Sequence, residues 1–235
     1  MSSKHEAKLD WCSHAAAKYA VTHWHYSGSL PPPMMRVGVW EQSEFIGCIL
    51  FARGASSKLL NPYGLQMTEG CELVRIALNN HATPVSRLVA IAVKSFVKSK
   101  CPALRLVVSF ADPFQGHHGG IYQAGGWIYA GTTAPSKMYR DAKGKLWHSR
   151  MIKKSGVGTV FGKRRRVLTP DECEAIAVPG KHRYLLPLDN DMRKKRAPLR
   201  KQYPKRERSA DSGTLDVQSR GGSASLTRSL SSADE

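Results

Sequence analysis

Long apolar runs are missing from this 235-residue chain. None could span a bilayer, and no apolar leader opens the sequence, so neither a membrane span nor a secretory route is predicted. Cysteine is sparse: Cys12, Cys48, Cys71, Cys101 and Cys173 are odd in number, scattered and without a CxxC pair. That excludes a disulfide framework or a structural zinc site and fits reduced thiols in a cytosol, most of them acting as small core hydrophobes. Internal repeats are absent. Acidic residues are in short supply, 18 against 36 Lys plus Arg, giving a net charge of +18. No domain needs that imbalance to fold. It points to a polyanionic partner: DNA, RNA or an anionic membrane surface.

What is present reads as an α/β (α+β) chain. Residues 6–21 carry Leu9, Cys12 and Ala16 at helical spacing. Residues 23–26, His-Trp-His-Tyr, run into Pro31-Pro32-Pro33 and are predicted to be extended, with His23 and His25 on one face and Trp24 and Tyr26 on the other. Residues 36–40 and 45–51 read as a hairpin turning at 41–44, and 72–78 as a third strand. Thr83 is the expected N-cap of a helix with Pro84 at its first position, followed by Val85, Leu88, Val89, Ala92 and Phe96 on one face. Residues 104–110 return as a strand, making a strand–helix–strand unit.

The informative stretch is 106–127. A β-branched run ends at Asp112-Pro113, then comes a loop with Gly116, His117, His118, Gly119 and Gly120, a short helix over 121–124, and a strand from Trp127. Sites in such layouts lie outside the carboxyl ends of strands, and Asp112 and Tyr122 are predicted to face that crevice. A last strand is expected over 146–152, and a short helix from Thr169 to about residue 177. The hydrophobic pattern fades near 152. That predicts a catalytic domain over 1–155, a basic nucleic-acid-binding extension over 156–208, and a Ser- and Gly-rich disordered tail over 209–235. The extension holds Lys163, Arg164, Arg165 and Arg166, then Arg193, Lys194, Lys195 and Arg196, as candidate phosphate contacts.

The element order resembles the GCN5-related N-acetyltransferase fold, a mixed central sheet flanked by helices, with Tyr122 ahead of Gly126-Trp127. More closely, residues 10–152 resemble the Mom DNA-modification proteins of Mu-like phages. The resemblance is carried by His25-Tyr26-Ser27, Glu72-Leu73-Val74-Arg75, Ser109-Phe110-Ala111-Asp112 and Gly120-Ile121-Tyr122-Gln123-Ala124 with Gly126-Trp127. It implies N6-carbamoylmethylation of adenine in double-stranded DNA, in the host cytoplasm, protecting phage DNA from restriction. The acetyltransferase likeness implies that the turn before the second helix cradles coenzyme A, with Ser86 and Arg87 helping. Yet residues 79–87 hold no glycine and one proline, so the donor is either acetyl-CoA or another small molecule.

Adenine N6 is a poor nucleophile, so a base and charge stabilisation are required. Asp112 is the candidate base or base-orienting group. Tyr122 is the candidate proton donor. Arg75 could pair with Asp112 or hold a donor carboxylate or phosphate. His25 and Tyr26 complete the catalytic set. His23, His25, His117 and His118 near Asp112 could hold iron or zinc, iron suiting radical chemistry. Trp24, Tyr26, Tyr63 and Phe114 are candidates to hold a flipped base. The competing readings are a non-enzymatic DNA-binding phage protein and an acetyltransferase acting on protein or a small molecule.

Overall fold

The computed structural model describes residues 7–205 apart from Ala55 and Phe161; the tail expected over 209–235 lies outside the described residues. The elements run β1 (Lys8–Trp11), α1 (His14–Trp24), β2 (Met35–Glu41), β3 (Glu44–Ala52), β4 (Gly70–Leu78) and α2 (Val85–Ile91). After a wide helical segment, Ala92–Val97, come α3 (Lys98–Lys100), β5 (Leu106–Ala111), α4 (Gly120–Ala124), β6 (Ile128–Thr132), β7 (Ser136–Asp141) and β8 (Leu146–His148). Then follow β9 (Val157–Val160), β10 (Lys163–Arg166), β11 (Cys173–Val178), β12 (His182–Pro187) and α5 (Asn190–Arg196). Seven strands form one mixed sheet in the order β1-β2-β3-β4-β5-β12-β6, with helices on both faces. The α+β class with a mixed central sheet is therefore as expected.

Within that sheet only β4 and β5 run parallel. Their pairing ends where Leu73 meets Ser109, although β4 continues against β3 to Leu78 and β5 continues against β12 to Ala111. The two central strands thus part at their carboxyl ends and leave an opening. Helix α1 covers one face through Ala17, Ala20 and Val21, which pack with Cys48, Leu50 and Ala77. Leu88, Val89, Ala92, Val93 and Val97 of the α2 segment cover the other face. The β2–β3 turn places Gln42 and Ser43 at φ of 52° and 67°, the two left-handed residues of a two-residue hairpin.

Several sequence expectations are corrected. Residues 8–11 are an edge strand on β2, not the start of the first helix. Ser13 accepts the Ala16 N–H at 3.0 Å, and that cap starts α1 only at His14. Helix α1 runs through Trp24, so His23 and Trp24 are helical and do not alternate with His25 and Tyr26. Pro84, not Thr83, occupies the cap of α2, with no side-chain cap bond, and Thr83 is held one residue short of the cap by its N–H bond to Glu41. The expected strand at 146–152 stops at His148. The Thr169 cap starts a single 3-10 turn, Pro170–Glu172, and β11 follows in place of a helix.

The largest correction concerns where the fold ends. Strand β12, inside the stretch expected to be a basic extension, sits in the central sheet between β5 and β6. Tyr184 and Leu185 are fully buried there. Helix α5 closes the β12 side, with Met192 in the same core cluster as Leu185. A boundary near residue 155 therefore cuts through the sheet. The fully buried pair alone is worth about 1.5–3 kcal/mol per side chain by area.

Candidate active site

Five segments converge at the opening between β4 and β5. Arg75 comes from β4 beyond the last β4–β5 pair, and Asp112 follows β5 directly. His25 and Tyr26 follow α1, and His117 lies on the loop before α4. Lys181 immediately precedes β12. The link between the two halves is an ion pair: Lys181 Nζ lies 2.8 Å from Asp112 Oδ2. The other Asp112 oxygen accepts the Phe114 N–H at 3.1 Å, capping the turn after β5. Arg75 therefore does not pair with Asp112 as expected. Its guanidinium donates to the Ser29 carbonyl at 3.3 Å and the Val74 carbonyl at 2.7 Å, tying the 25–29 loop to β4.

The histidines are held neutral. Ser27 N–H, a group that can only donate, bonds His25 Nδ1 at 3.1 Å, and Ser27 Oγ lies 2.9 Å from the same atom. Nδ1 is thus the acceptor and the ring proton belongs on Nε2. Burial, then the charge of Arg75 and then His117, pull the His25 pKa down to about 4. Burial lowers His117 as well, against the pull of the Asp112 carboxylate and helped by His118. The rings of His25 and Tyr26 lie 4.3 Å apart, and those of Tyr26 and His117 lie 5.5 Å apart. Tyr26 keeps 56% of its surface exposed, yet desolvation at its hydroxyl end raises its pKa, against the fields of Lys181 and Arg75 and with that of Asp112.

Tyr122 lies beneath this cluster, 7% exposed, between the rings of Trp127 and Tyr184 at 5.0 Å each. Its hydroxyl is 2.7 Å from Ser109 Oγ, which is also 2.8 Å from the Leu73 carbonyl. A carbonyl only accepts and a serine has one proton, so Ser109 donates to Leu73 and Tyr122 donates to Ser109. Burial pushes the Tyr122 phenol up to about 12, so it stays protonated. A second aromatic, Tyr184, donates its hydroxyl to the His118 carbonyl at 2.6 Å, and Gln123 Nε2 donates to the same carbonyl at 3.3 Å. Gly119, with φ of 84°, opens α4 against the Tyr184 ring, where a Cβ would collide.

Other expected site residues fall elsewhere. His23 hydrogen-bonds the Tyr19 carbonyl at 2.8 Å and stacks on the Tyr19 ring, away from His117 and His118. Among the described residues no three His, Cys, Asp or Glu side chains gather as metal ligands, so the donor set does not fit the expected iron or zinc. Tyr63 is buried in the core cluster around Leu185, beneath Arg196, and Trp24 packs on Tyr19 and Phe45. Burial removes Tyr63 from the candidates to hold a flipped base, and Trp24 is half-buried against its two neighbours. Of the basic residues, Lys163, Arg164 and Arg165 are exposed on β10. Arg166 is engaged by Glu172, Lys195 pairs with Asp191, and Arg196 donates to the Tyr63 carbonyl.

The turn before α2 offers no free phosphate cradle. The Glu41 carboxylate accepts the Ala82 N–H at 2.7 Å and the Thr83 N–H at 2.8 Å, and Pro84 has no N–H to give. Burial would raise the Glu41 pKa, but the bonds from Ala82 and Thr83 outweigh it and lower it. A carboxylate therefore occupies the two loop N–H groups that precede α2. Arg87 is exposed, and Ser86 lines a separate groove of about 260 Å3 with Trp127 and Leu186.

Sequence reasoning missed Lys181, Ser109, Ser27 and Tyr184. The signal for β12 was available: the apolar run Tyr184-Leu185-Leu186 interrupts the basic stretch. Nothing local announces that Lys181 meets Asp112.

Comparisons agree with one part of this picture. A family model described as the Mom protein family matches residues 6–205. No curated protein matches the chain. A solved structure from Acinetobacter baylyi ADP1, described provisionally as an acetyltransferase, is similar at 12% identity and a TM-score of 0.43, over 87% of this chain and 100% of that one.

Proposed function

The chain belongs to the Mom protein family, and from that premise we propose that it is a transferase converting adenine in double-stranded DNA to N6-carbamoylmethyladenine, which shields phage DNA from host restriction enzymes. The observation that carries this reading is the convergence of Arg75, Asp112, Lys181, His25, Tyr26 and Tyr122 at the parted ends of β4 and β5. One family match and one crevice lined by an acid, a phenol and cations call for a group transfer that needs a proton removed and another supplied.

In this reading the adenine leaves the duplex and its ring rests on the exposed face of Tyr26. The N6 lone pair attacks the donor carbon, forming the N6–C bond. Asp112 accepts the N6 proton, and Lys181 aims the carboxylate. The donor's leaving group departs with the electrons of its bond to carbon and takes a proton from Tyr122, which burial keeps protonated and whose hydroxyl turns from Ser109 to the leaving group. The neutral His25 contributes Nε2–H as a hydrogen-bond donor rather than as a base. Arg75, with donor capacity left after Ser29 and Val74, faces the carboxamide of the transferred group.

The small-molecule donor is bound by this crevice and not by the α2 turn that Glu41 fills. DNA from cells expressing the full chain, digested to nucleosides and weighed by mass spectrometry, should contain N6-carbamoylmethyldeoxyadenosine. Unmodified deoxyadenosine alone, from cells holding folded protein, would refute the assignment, and an acetylated protein with unmodified DNA would favour the acetyltransferase reading. No described helix is long and apolar enough to cross a membrane.

A further inference from the structure

Beside the crevice lies a second concavity of about 660 Å3, between the turn Ser149–Met151 and the β9–β10 hairpin. Arg150, Lys153 and Arg164 line it, together with the hydroxyl-bearing Ser155 and Thr159. The hairpin register sets Arg164 opposite Thr159. Backbone bonds fix its base: Lys153 N–H donates to the Leu168 carbonyl at 3.1 Å and Val167 N–H to the Gly156 carbonyl at 2.9 Å. Glu172 engages Arg166, holding the same base.

Three cations facing one cavity repel one another. Among the described residues no carboxylate forms an ion pair with Arg150, Lys153 or Arg164, although seven other such pairs exist. A purely structural hairpin gains nothing from that arrangement, whereas a bound anion would neutralise it.

The location is equally specific. His148 Nδ1 accepts the Arg150 N–H at 3.3 Å. Its pKa is lowered by burial, then by Arg150 and then by Lys181, so both the concavity's arginine and the crevice's lysine lie within electrostatic reach of one ring. The strand register gives the same placement: His148 pairs with Met138 of β7, and β11, on the other side of β7, ends at Val178, three residues before the Lys181 that meets Asp112.

We propose that the concavity formed by Arg150, Lys153 and Arg164 is a phosphate-binding site that grips the backbone of double-stranded DNA next to the base being modified. This rests on the reading of the crevice as a DNA-modifying site. Its contacts are to phosphate, so it sets position and affinity and reads no sequence. Arg193 and Lys194, the exposed pair on α5, are not part of it.

The test uses the full chain and a short duplex of random sequence, with affinity measured over a range of KCl concentrations. Arg150→Gln/Lys153→Gln/Arg164→Gln should lower the salt slope by about 3 and weaken binding at moderate salt by roughly tenfold or more. The α5 variant Arg193→Gln/Lys194→Gln should lower the slope by less than the triple variant does. If the triple variant loses its fold, judged by circular dichroism, Arg164→Gln alone should lower the slope by about 1. Wild-type slope and affinity in the folded triple or single variant overturn the proposal, as does a larger loss in the α5 variant. Those outcomes leave the crevice reading standing if the wild type still yields modified adenine in cells. A wild type that neither modifies adenine nor binds duplex defeats both.

Discussion

Two runs of four basic residues, Lys163 to Arg166 and Arg193 to Arg196, look alike in the sequence and are used differently in the fold. The second is helical. Its charges fall in the last turn of α5, where they complement the helix dipole. Lys195 pairs with Asp191 at 3.0 Å, and Arg196 bonds the Tyr63 carbonyl at 3.2 Å and lies over the Tyr63 ring. The start of the helix is fixed by Asp189, which caps it through the Met192 N–H at 2.7 Å and holds Arg105 at 2.9 Å. The first run stands on a two-stranded hairpin, where, among the described residues, only Arg166 forms an ion pair with a carboxylate. A run of positive charge is available to a partner only where the fold leaves it without counterions. Composition reports the charge but not that difference.

The widest separation between the two regions should come from cutting them away. Ending the chain after Gly180 removes β12 and α5. It should abolish the cooperative melt, because the buried strand carries a large share of a typical stability of about 5–15 kcal/mol. Replacing residues 157–166 by a short flexible link should leave the melt nearly unchanged. A folded truncated chain, or an unfolded hairpin deletion, would reverse the roles assigned to the two runs.

A smaller effect concerns the crevice that both regions flank. Tyr122→Phe should reduce modified adenine about 100-fold or more if the hydroxyl supplies a proton. The lost bond to Ser109 should cost only about 1 kcal/mol of stability. Equal activity in the two proteins would make Tyr122 a core aromatic.

Smaller again is Asp189→Ala. It should lower the urea midpoint by the equivalent of about 1 kcal/mol through the lost cap of α5, while leaving the salt slope of DNA binding untouched. A changed slope with unchanged stability would mean that α5 serves the DNA and not the fold.

A further effect, spread over a range of conditions, is a pH dependence. His25 has a folded pKa of about 4 against an ordinary 6.5, so the unfolded chain binds a proton that the folded chain refuses. Its contribution is fully present above about 6.5 and is lost as the pH falls towards 4. His117, also lowered, acts in the same direction. The melting temperature should fall across that window, and His25→Gln should flatten part of the fall. An unaltered profile would show that His25 is not held neutral.

Much of the fold was legible because its signals are local. The β2–β3 hairpin, β4, the helix after Pro84, β5 and the short helix before Gly125-Gly126 each carry their own periodicity or punctuation. The strand–loop–helix order alone puts Asp112 at the end of β5, whereas Tyr122, expected to face the crevice, is buried beneath it against Trp127 and Tyr184. What escaped depends on distant partners. Residues 8–11 fit a helical pattern and became a strand because β2 offers them an edge. Thr83 has a good cap sequence, but Glu41, far away in the chain, claims its N–H. The histidines looked like ligands when counted, yet among the described residues the fold does not bring three such donors together. Lys181 was hidden because a lone lysine in a basic stretch has no signature until β12 is threaded beside β5.

The central claim is that the carboxylate at the end of β5 removes the proton from adenine N6. The most direct test is the fraction of modified deoxyadenosine in DNA from cells expressing Asp112→Asn, measured by mass spectrometry beside the wild type. The variant's melt and DNA affinity are checked in parallel. The isosteric amide keeps the Phe114 cap and the loop shape but cannot accept the proton. The account predicts a melt lowered by no more than the equivalent of about 1 kcal/mol for the lost Lys181 ion pair, near-normal DNA binding and loss of the modified nucleoside; a variant that modifies adenine at close to the wild-type level would contradict it.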